Sequence, residues 1–155
     1  MCIRDSIIHC FSIEQIQSFA LWSSEAQTIA EKFWPGPLTM VLPLLPESKI
    51  SSLALAGLQT VAVRMPAHSV AQSILKFSNT PIAAPSANPS GAVSATKAEH
   101  VISRLTGKIE GIISGNSSKI GLESTIISFS PQPSILRFGA VNETDISEIL
   151  GLDLK

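Results

Sequence analysis

The hydrophobic positions of the chain form two kinds of segment, amphipathic stretches with helical spacing and short continuous apolar runs. Capping-box patterns at residues 12–15 and 24–27, each a serine followed three residues later by glutamine, predict the starts of two helices. The second helix is expected to end at "WPGP" (34–37), because proline cannot continue a helix. Its predicted buried stripe consists of Ala26, Ile29, Ala30 and Phe33.

Apolar runs predict six strands, at residues 38–45, 60–66, 81–87, 111–114, 124–130 and 134–138. Helical spacing predicts three further helices, at residues 69–77, 97–105 and 143–150. Pro43 within the first strand indicates an edge strand or a bulge, because proline lacks the backbone N–H of a sheet ladder. The helix at 69–77 is expected to bury Val70, Ile74 and Phe77.

Helices and strands are interleaved along the chain, which is typical of an α/β or α+β sheet domain rather than a helix bundle or a sandwich. The last two strands are separated only by "PQP" (131–133), and so short a connection predicts an antiparallel hairpin. The sheet is therefore expected to be mixed. No clear linker divides the sequence, which predicts one domain.

Composition narrows the class of protein. The chain has 155 residues, 45% hydrophobic content and a net charge of −1, so no overall basic field attracts nucleic acid. The apolar runs are too short to span a membrane, and no signal peptide is evident. Cys2 and Cys10 lack the spacing of a zinc site or a disulfide framework, which makes a reducing, cytoplasmic setting the default expectation.

Polar residues stand where the apolar runs begin or end: Arg64, Ser86, Asn88, Ser124 and Arg137. Strand ends of an open sheet border a common crevice in which ligands bind. Two arginines and several hydroxyls in that crevice would suit a phosphate and a small polar substrate. The sequence contains neither GxxxxGK[ST] nor GxGxxG, so it has no standard nucleotide motif.

Simpler interpretations of the same residues stay open at this point. "SANPSG" (86–91) is also typical of an ordinary turn. His9, His68 and His100 lack metal-ligand spacing and are expected to be surface or capping histidines. The residues by themselves therefore predict an α/β domain with a candidate anion site.

Five segments in one order narrow this interpretation. They are "KFWPGPLTMVLP" (32–43), "VAVRMPAH" (61–68), "APSANPSG" (84–91), "GLESTIIS" (121–128) and "ILRFGAV" (135–141). The series resembles the YrdC-like family, the threonylcarbamoyl-AMP synthases, from about Ile7 to about Leu150. The resemblance implies a twisted, mixed sheet flanked by helices, with a large positively charged concave cavity.

The resemblance also implies a reaction and its participants. Family members condense L-threonine, bicarbonate and ATP into threonylcarbamoyl-adenylate and pyrophosphate, the first step toward the tRNA modification t6A. Mg²⁺ would accompany ATP with no metal ligand from the protein, and the product would pass to a downstream tRNA threonylcarbamoyl transferase complex. No membrane partner is implied.

Site residues follow from the same resemblance. Ser86 and Asn88 of the S-A-N motif would be catalytic. The ATP contacts would come from Arg64, Ser86, Ser94 and Arg137. The threonine contacts would come from His68, Ser124 and a backbone carbonyl near Ala84.

The sequence departs from the family pattern at its start. It contains neither the P-T-E-T-x-Y-G-L-like motif nor the K-x-R motif, and "MCIRDS" has no counterpart in the family. Residues 1–6 are therefore interpreted as a non-family leader, and residues 7–155 as a YrdC-like catalytic domain that lacks its N-terminal part. Little or no synthase activity is expected of the chain as written. Phe138 also stands where the family usually has proline.

Two other functions are kept as alternatives. A double-stranded RNA-binding module is disfavoured by the near-neutral charge and the scarcity of aromatic residues. A carbamoyl-transfer domain of the hydrogenase-maturation type shares the implied fold, but such domains occur in much longer, cysteine-rich chains.

Overall fold

The computed structural model describes residues 6–89, 91–115, 117–118 and 120–154. Residues 1–5 of the expected leader lie outside this part. The strands are β1 (Ile7–His9), β2 (Leu38–Pro43), β3 (Thr60–Arg64), β4 (Ile82–Ala84), β5 (Thr125–Ser128) and β6 (Ser134–Arg137). The helices are α1 (Ile13–Gln17), α2 (Ser24–Phe33), α3 (Ser52–Leu55), α4 (Ser69–Ser78), α5 (Ala98–Leu105) and α6 (Glu143–Leu150). None of the helices described is long and apolar enough to cross a membrane.

The six strands form one open sheet in the order β4-β1-β3-β2-β5-β6. Two neighbouring pairs are parallel, β1 with β3 and β2 with β5. The other three pairs are antiparallel, including the hairpin of β5 and β6. The predicted α/β class, mixed sheet and hairpin are therefore confirmed.

Two strand predictions need correction, and one strand was missed. Residues 111–114 are exposed and irregular, because no neighbouring strand pairs with them. β2 lies between β3 and β5 in unbroken register, so the edge strand or bulge expected from Pro43 is wrong. Pro43 is the last residue of β2, a position at which a missing N–H disturbs the ladder least. β1 was not predicted as a strand, since three residues carry too little pattern.

The helix starts agree with their capping patterns, with one shift. The Ser12 hydroxyl accepts a hydrogen bond from the backbone N–H of Gln15 at 3.3 Å, as expected for α1. The cap of α2 is Ser23 rather than Ser24, and its hydroxyl accepts from the Ala26 N–H at 3.2 Å. The stripe predicted for α2 is confirmed: Ala26, Ile29 and Ala30 are buried, and Phe33 packs against the core.

The buried side of α4 differs from the prediction. Leu75 is buried, whereas Phe77 is 95% exposed and Ile74 is 38% exposed. The Gln72 side chain donates to the carbonyl of Pro66 at 2.5 Å, which fixes the side of α4 that faces the protein. Two overlapping stripes fit the helical spacing, and only these tertiary contacts decide between them.

The sheet has two unlike faces, because successive side chains of a strand point to opposite sides. One face, here called the core face, packs against α1, α2 and α6. Its strand residues are Ile8, Leu38, Met40, Leu42, Val61, Val63 and Ile127. The opposite face, here called the cavity face, carries the alternate residues, among them His9, Thr39, Val41, Ala62, Arg64 and Ile126.

Candidate active site

Six of the predicted site residues line one cavity of about 430 Å³ on the cavity face. They are Arg64, Ala84, Ser86, Ser94, Ser124 and Arg137. The sheet topology explains part of this convergence. β3 ends at Arg64, β6 ends at Arg137, and β5 begins directly after Ser124. Because β3 and β6 run opposite to β2 and β5, these three positions meet at one edge of the sheet.

Arg137 is fixed by three contacts at its end of the cavity. Its Nε donates to the backbone oxygen of Ser124 at 3.0 Å, and its Nη2 donates to the Ser124 hydroxyl at 3.0 Å. Its Nη1 forms an ion pair with the Glu123 carboxylate at 2.6 Å. A guanidinium held in this way has a fixed orientation, and two of its five N–H groups remain for an anion.

Arg64 is also half-buried, but it lacks a counter-charge. Its Nε donates to the carbonyl oxygen of Gly36 at 3.0 Å, and it forms no ion pair within the described residues. Burial lowers the pKa of Arg64, and the positive charge of Arg137 lowers it further. An arginine remains charged under such a shift, so two cations face one cavity with a single carboxylate between them among the lining residues. This imbalance favours an anionic ligand.

Gly36 shows why "WPGP" matters to the site as well as to the end of α2. A side chain at Gly36 would collide with the carbonyl oxygen of Phe33, so the chain can turn here only with glycine. The turn is held by a 2.9 Å hydrogen bond from the Gly36 N–H to the Met65 carbonyl. Arg64 is thereby anchored to a backbone corner.

His9 lines the same cavity, so the expectation that it is a surface or capping residue is wrong. It is the last residue of β1 and pairs in register with Arg64. Burial, and secondly the charge of Arg64, lower the pKa of His9 from 6.5 to about 4. His9 is therefore a neutral imidazole at pH 7. The one local signal for His9 was a polar residue after two isoleucines, a segment of three residues that is too short to be recognised as a strand.

Glu123 is a second lining residue that was not singled out from the sequence. One carboxylate oxygen pairs with Arg137, and the other accepts a hydrogen bond from the Ser94 hydroxyl at 3.0 Å. Glu123 thus connects the loop that carries Ser94 to the end of β6. The sequence signal for Glu123 lay in "GLEST" (121–125), as a charged residue two positions before β5.

Asn88 and His68 are the two predicted site residues that do not line the cavity. The Asn88 side-chain amide donates to the carbonyls of Pro89 at 3.0 Å and Ala92 at 2.8 Å, so it closes the turn as in the simpler interpretation. Its Oδ1 is buried and has no hydrogen-bond partner within the described residues. His68 is the N-cap of α4, and its ring lies against Gly115.

If cavity size alone decided, a different cavity would be chosen as the candidate site. A larger cavity of about 720 Å³ lies beside β1, β4 and α3, but neither arginine nor histidine lines it. We therefore identify the candidate site by its charge and donors. No cluster of three or more His, Cys, Asp or Glu side chains is found within the described residues. Among the residues that line the candidate site, Glu123 is the one carboxylate, and its two oxygens already contact Arg137 and Ser94.

Family comparison places this chain in a known class of protein. The model of the Sua5/YciO/YrdC family, described as "Telomere recombination", matches residues 4–139, and the chain belongs to this family. The chain is 44% identical to the threonylcarbamoyl-AMP synthase of Bacillus subtilis and 46% identical to that of Pyrococcus abyssi, in each case over 147 residues. Both alignments cover 94% of this chain, but only 42% and 43% of those relatives. The chain therefore spans less than half the length of these relatives.

Solved structures agree with this assignment. A crystal structure of Pyrococcus abyssi Sua5 complexed with L-threonine matches with a TM-score of 0.91 at 44% identity, over 96% of this chain and 44% of that one. Escherichia coli YciO matches at 0.76 with 20% identity, over 89% and 67%. Full-length HypF in a phosphate- and nucleotide-bound form matches at 0.73 with 16% identity, over 86% and 21%. The last two show a shared fold. The resemblance to the YrdC-like family is thus confirmed.

Proposed function

We propose that this chain forms the catalytic site of a threonylcarbamoyl-AMP synthase, which joins L-threonine, bicarbonate and ATP into threonylcarbamoyl-adenylate and pyrophosphate for t6A modification of tRNA. One observation carries the proposal. Arg64 and Arg137 converge on a single cavity that hydroxyl groups also line. The identity to synthases of that name and the likeness to a threonine complex support it.

The reaction mainly requires that the protein orient the reactants and neutralise the charge on the phosphates. The threonine amine adds to the carbon of bicarbonate and gives a carbamate with release of water. If CO₂ is the reactant instead, the same addition releases a proton. A carbamate oxygen then attacks the α-phosphorus of ATP, and the bond from that phosphorus to the bridging oxygen breaks as pyrophosphate leaves. Positive groups already in place stabilise the charge that develops on the leaving oxygens. Arg64 and Arg137 are the cations that we assign to this role, and Mg²⁺ on the phosphates would supply further neutralisation.

The uncharged donors complete the proposed division of roles. Ser86 and Ser94 would contact the nucleotide, while Ser124 and the backbone at Ala84 would contact threonine. Neutral His9 adds a hydrogen-bonding group without adding charge, which suits it to the amino-acid side of the cavity. Asn88 would act by holding the turn that presents Ser86. His68 has no place in this proposal, because its ring lies against Gly115.

The biological setting belongs to the same proposal. The product would pass to a tRNA threonylcarbamoyl transferase complex, and a cytoplasmic location follows from the need for ATP and tRNA in one compartment. The hydrogenase-maturation alternative is supported by likeness of fold alone, at 16% identity. No observation on the described residues supports double-stranded RNA binding.

A crossed pair of variants tests the proposal. Arg137→Ala should weaken ATP binding by about 1.5–3 kcal/mol, the range of a charge-assisted hydrogen bond. Ser124→Ala should weaken mainly L-threonine, because Arg137 keeps its contacts with the Ser124 backbone and with Glu123. Isothermal titration calorimetry with each ligand measures both effects, and Lys76→Ala on the exposed side of α4 is the control. Equal losses for both ligands in both variants, or no binding of either ligand to the unsubstituted protein, would contradict the proposal.

A further inference from the structure

Thr39 lies directly behind the candidate site without lining it. It is the second residue of β2, it is fully buried, and it lies on the cavity face. Its Oγ1 is 2.8 Å from the Oγ of Ser124, which does line the cavity. The contact joins residues far apart in sequence, so it forms only in the folded protein.

The direction of this hydrogen bond can be worked out by counting donors and acceptors. Ser124 Oγ already accepts from Arg137 Nη2 at 3.0 Å, and a guanidinium can only donate. Within the described residues, the Thr39 hydroxyl has Ser124 Oγ as its one hydrogen-bond partner. A buried hydroxyl proton without an acceptor is unfavourable, so Thr39 donates to Ser124.

The hydroxyl proton of Ser124 is therefore the one part of this group that is still available for a hydrogen bond. A hydroxyl oxygen has two lone pairs, and Arg137 and Thr39 occupy both. The remaining hydroxyl proton can be donated only to something in the cavity, because every other neighbour that we find at this oxygen is itself a donor.

We propose that Thr39 is a positioning residue that holds Ser124 in the orientation of a hydrogen-bond donor toward the ligand. The group that meets Ser124 must then offer an acceptor oxygen, such as the carboxylate of an amino-acid substrate. The choice of L-threonine as the ligand rests on the proposed function. The donor role of Ser124 rests only on the contacts of Arg137 and Thr39.

Neutron diffraction from deuterium-exchanged crystals of the ligand-free protein tests the donor role directly. The deuterium of the Thr39 hydroxyl should lie between Thr39 Oγ1 and Ser124 Oγ, and that of Ser124 should point into the cavity. A deuterium on Ser124 directed at Thr39 would overturn the inference, whatever the protein binds.

Variants test the consequence for binding. Thr39→Val keeps the shape but removes the hydroxyl that holds Ser124 Oγ, and it should weaken L-threonine binding by up to about tenfold, the scale of one hydrogen bond, because Ser124 keeps its proton but loses its fixed orientation. Thr39→Ser should restore affinity to within about twofold, because it returns the donor. The preference for L-threonine over L-threoninol, which lacks the carboxylate, should shrink in Thr39→Val and return in Thr39→Ser.

The neighbouring Thr125 provides a matched control. Its buried hydroxyl donates to the Val141 carbonyl at 2.7 Å and accepts from the Val141 N–H at 2.9 Å, away from the cavity. Thr125→Val should lower thermal stability and leave the affinity ratio of the two ligands unchanged. An unchanged ratio in Thr39→Val, or failure of Thr39→Ser to restore it, would overturn the inference. If the unsubstituted protein binds no L-threonine, the proposed function fails and the neutron result alone decides the role of Thr39.

Discussion

The two faces of the central sheet are built from alternate residues of the same strands, yet their chemistry is opposite. On β2, Met40 is fully buried against the helices, while its neighbour Thr39 supports the candidate site. On β1, Ile8 belongs to the core, and His9 lines the cavity. A shift of one residue in register would exchange these environments. The core face therefore fixes the register on which the site depends.

The cavity face is itself divided. Its polar part lies at the edge of the sheet where Arg64 and Arg137 meet. Its remainder is mainly apolar, with Val41, Ala62 and Ile126 lining an adjoining cavity of about 480 Å³ that Arg137 also lines. Apolar surroundings lower the local dielectric response, so the electrostatic attraction of the arginines for an anion is stronger there than in water.

The sharpest test of the contrast between the faces uses two adjacent isoleucines of β5. Ile127 is fully buried in the core face, whereas Ile126 is half-buried beside the apolar cavity. Ile127→Ala should lower the free energy of unfolding by about 2–5 kcal/mol, because it leaves a cavity in a packed core. Ile126→Ala removes the same atoms from a site that is already open, and its loss should be less than half as large. Urea denaturation measures both. Equal losses would mean that the two faces contribute alike to stability.

Much of this arrangement could be predicted from local pattern. Arg64 and Arg137 each end a strand of at least four residues, and Ser124 directly precedes another, long enough in each case to be recognised as a strand. Since strand ends gather at sheet edges, their convergence could be predicted as well. His9 could not be recognised in this way, because β1 has three residues and its partners lie about fifty and seventy residues further along the chain.

Other features depended on contacts that no local pattern contains. The spacing of α4 fits two stripes, and only the contact of Gln72 with Pro66 selects the one with Leu75. Asn88 is equally suited to a turn and to a site, and its two carbonyl partners decide for the turn in this structure. Local sequence thus predicted which residue types gather at the sheet edge, whereas the orientation of individual side chains required the tertiary structure.

Gly139, which follows β6 and lies against the backbone just before β5, offers a test of intermediate size. A Cβ on Gly139 would collide with the carbonyl oxygen of Glu123 and lie 2.6 Å from Ser124 C and Thr125 N. Only backbone movement could relieve these contacts, so Gly139→Ala should lower stability by about 1–3 kcal/mol. It should also weaken ATP binding, because Glu123 and Ser124 hold Arg137. Gly111→Ala is the matched control, since a Cβ there meets nothing within 4 Å. Calorimetry and urea denaturation giving the same result for both variants would show that the close approach at Gly139 does not shape the site.

The smallest effect concerns pH and isolates His9 on the cavity face. Its pKa is lowered from 6.5 to about 4 in the folded protein, by burial and then by the charge of Arg64. Between these values the unfolded chain binds more protons than the folded one, so stability falls as the pH drops from 6.5 toward 4. His9→Gln removes this proton binding, and its stability should fall less between pH 7 and pH 5, by a difference on the order of 1 kcal/mol. His100→Gln, at an exposed position on α5, should follow the unsubstituted protein. Urea denaturation across this pH range measures all three proteins. Parallel curves for His9→Gln and the unsubstituted protein would mean that His9 is not held neutral beside Arg64, and that the polar part of the cavity face is more open to water than its contacts indicate.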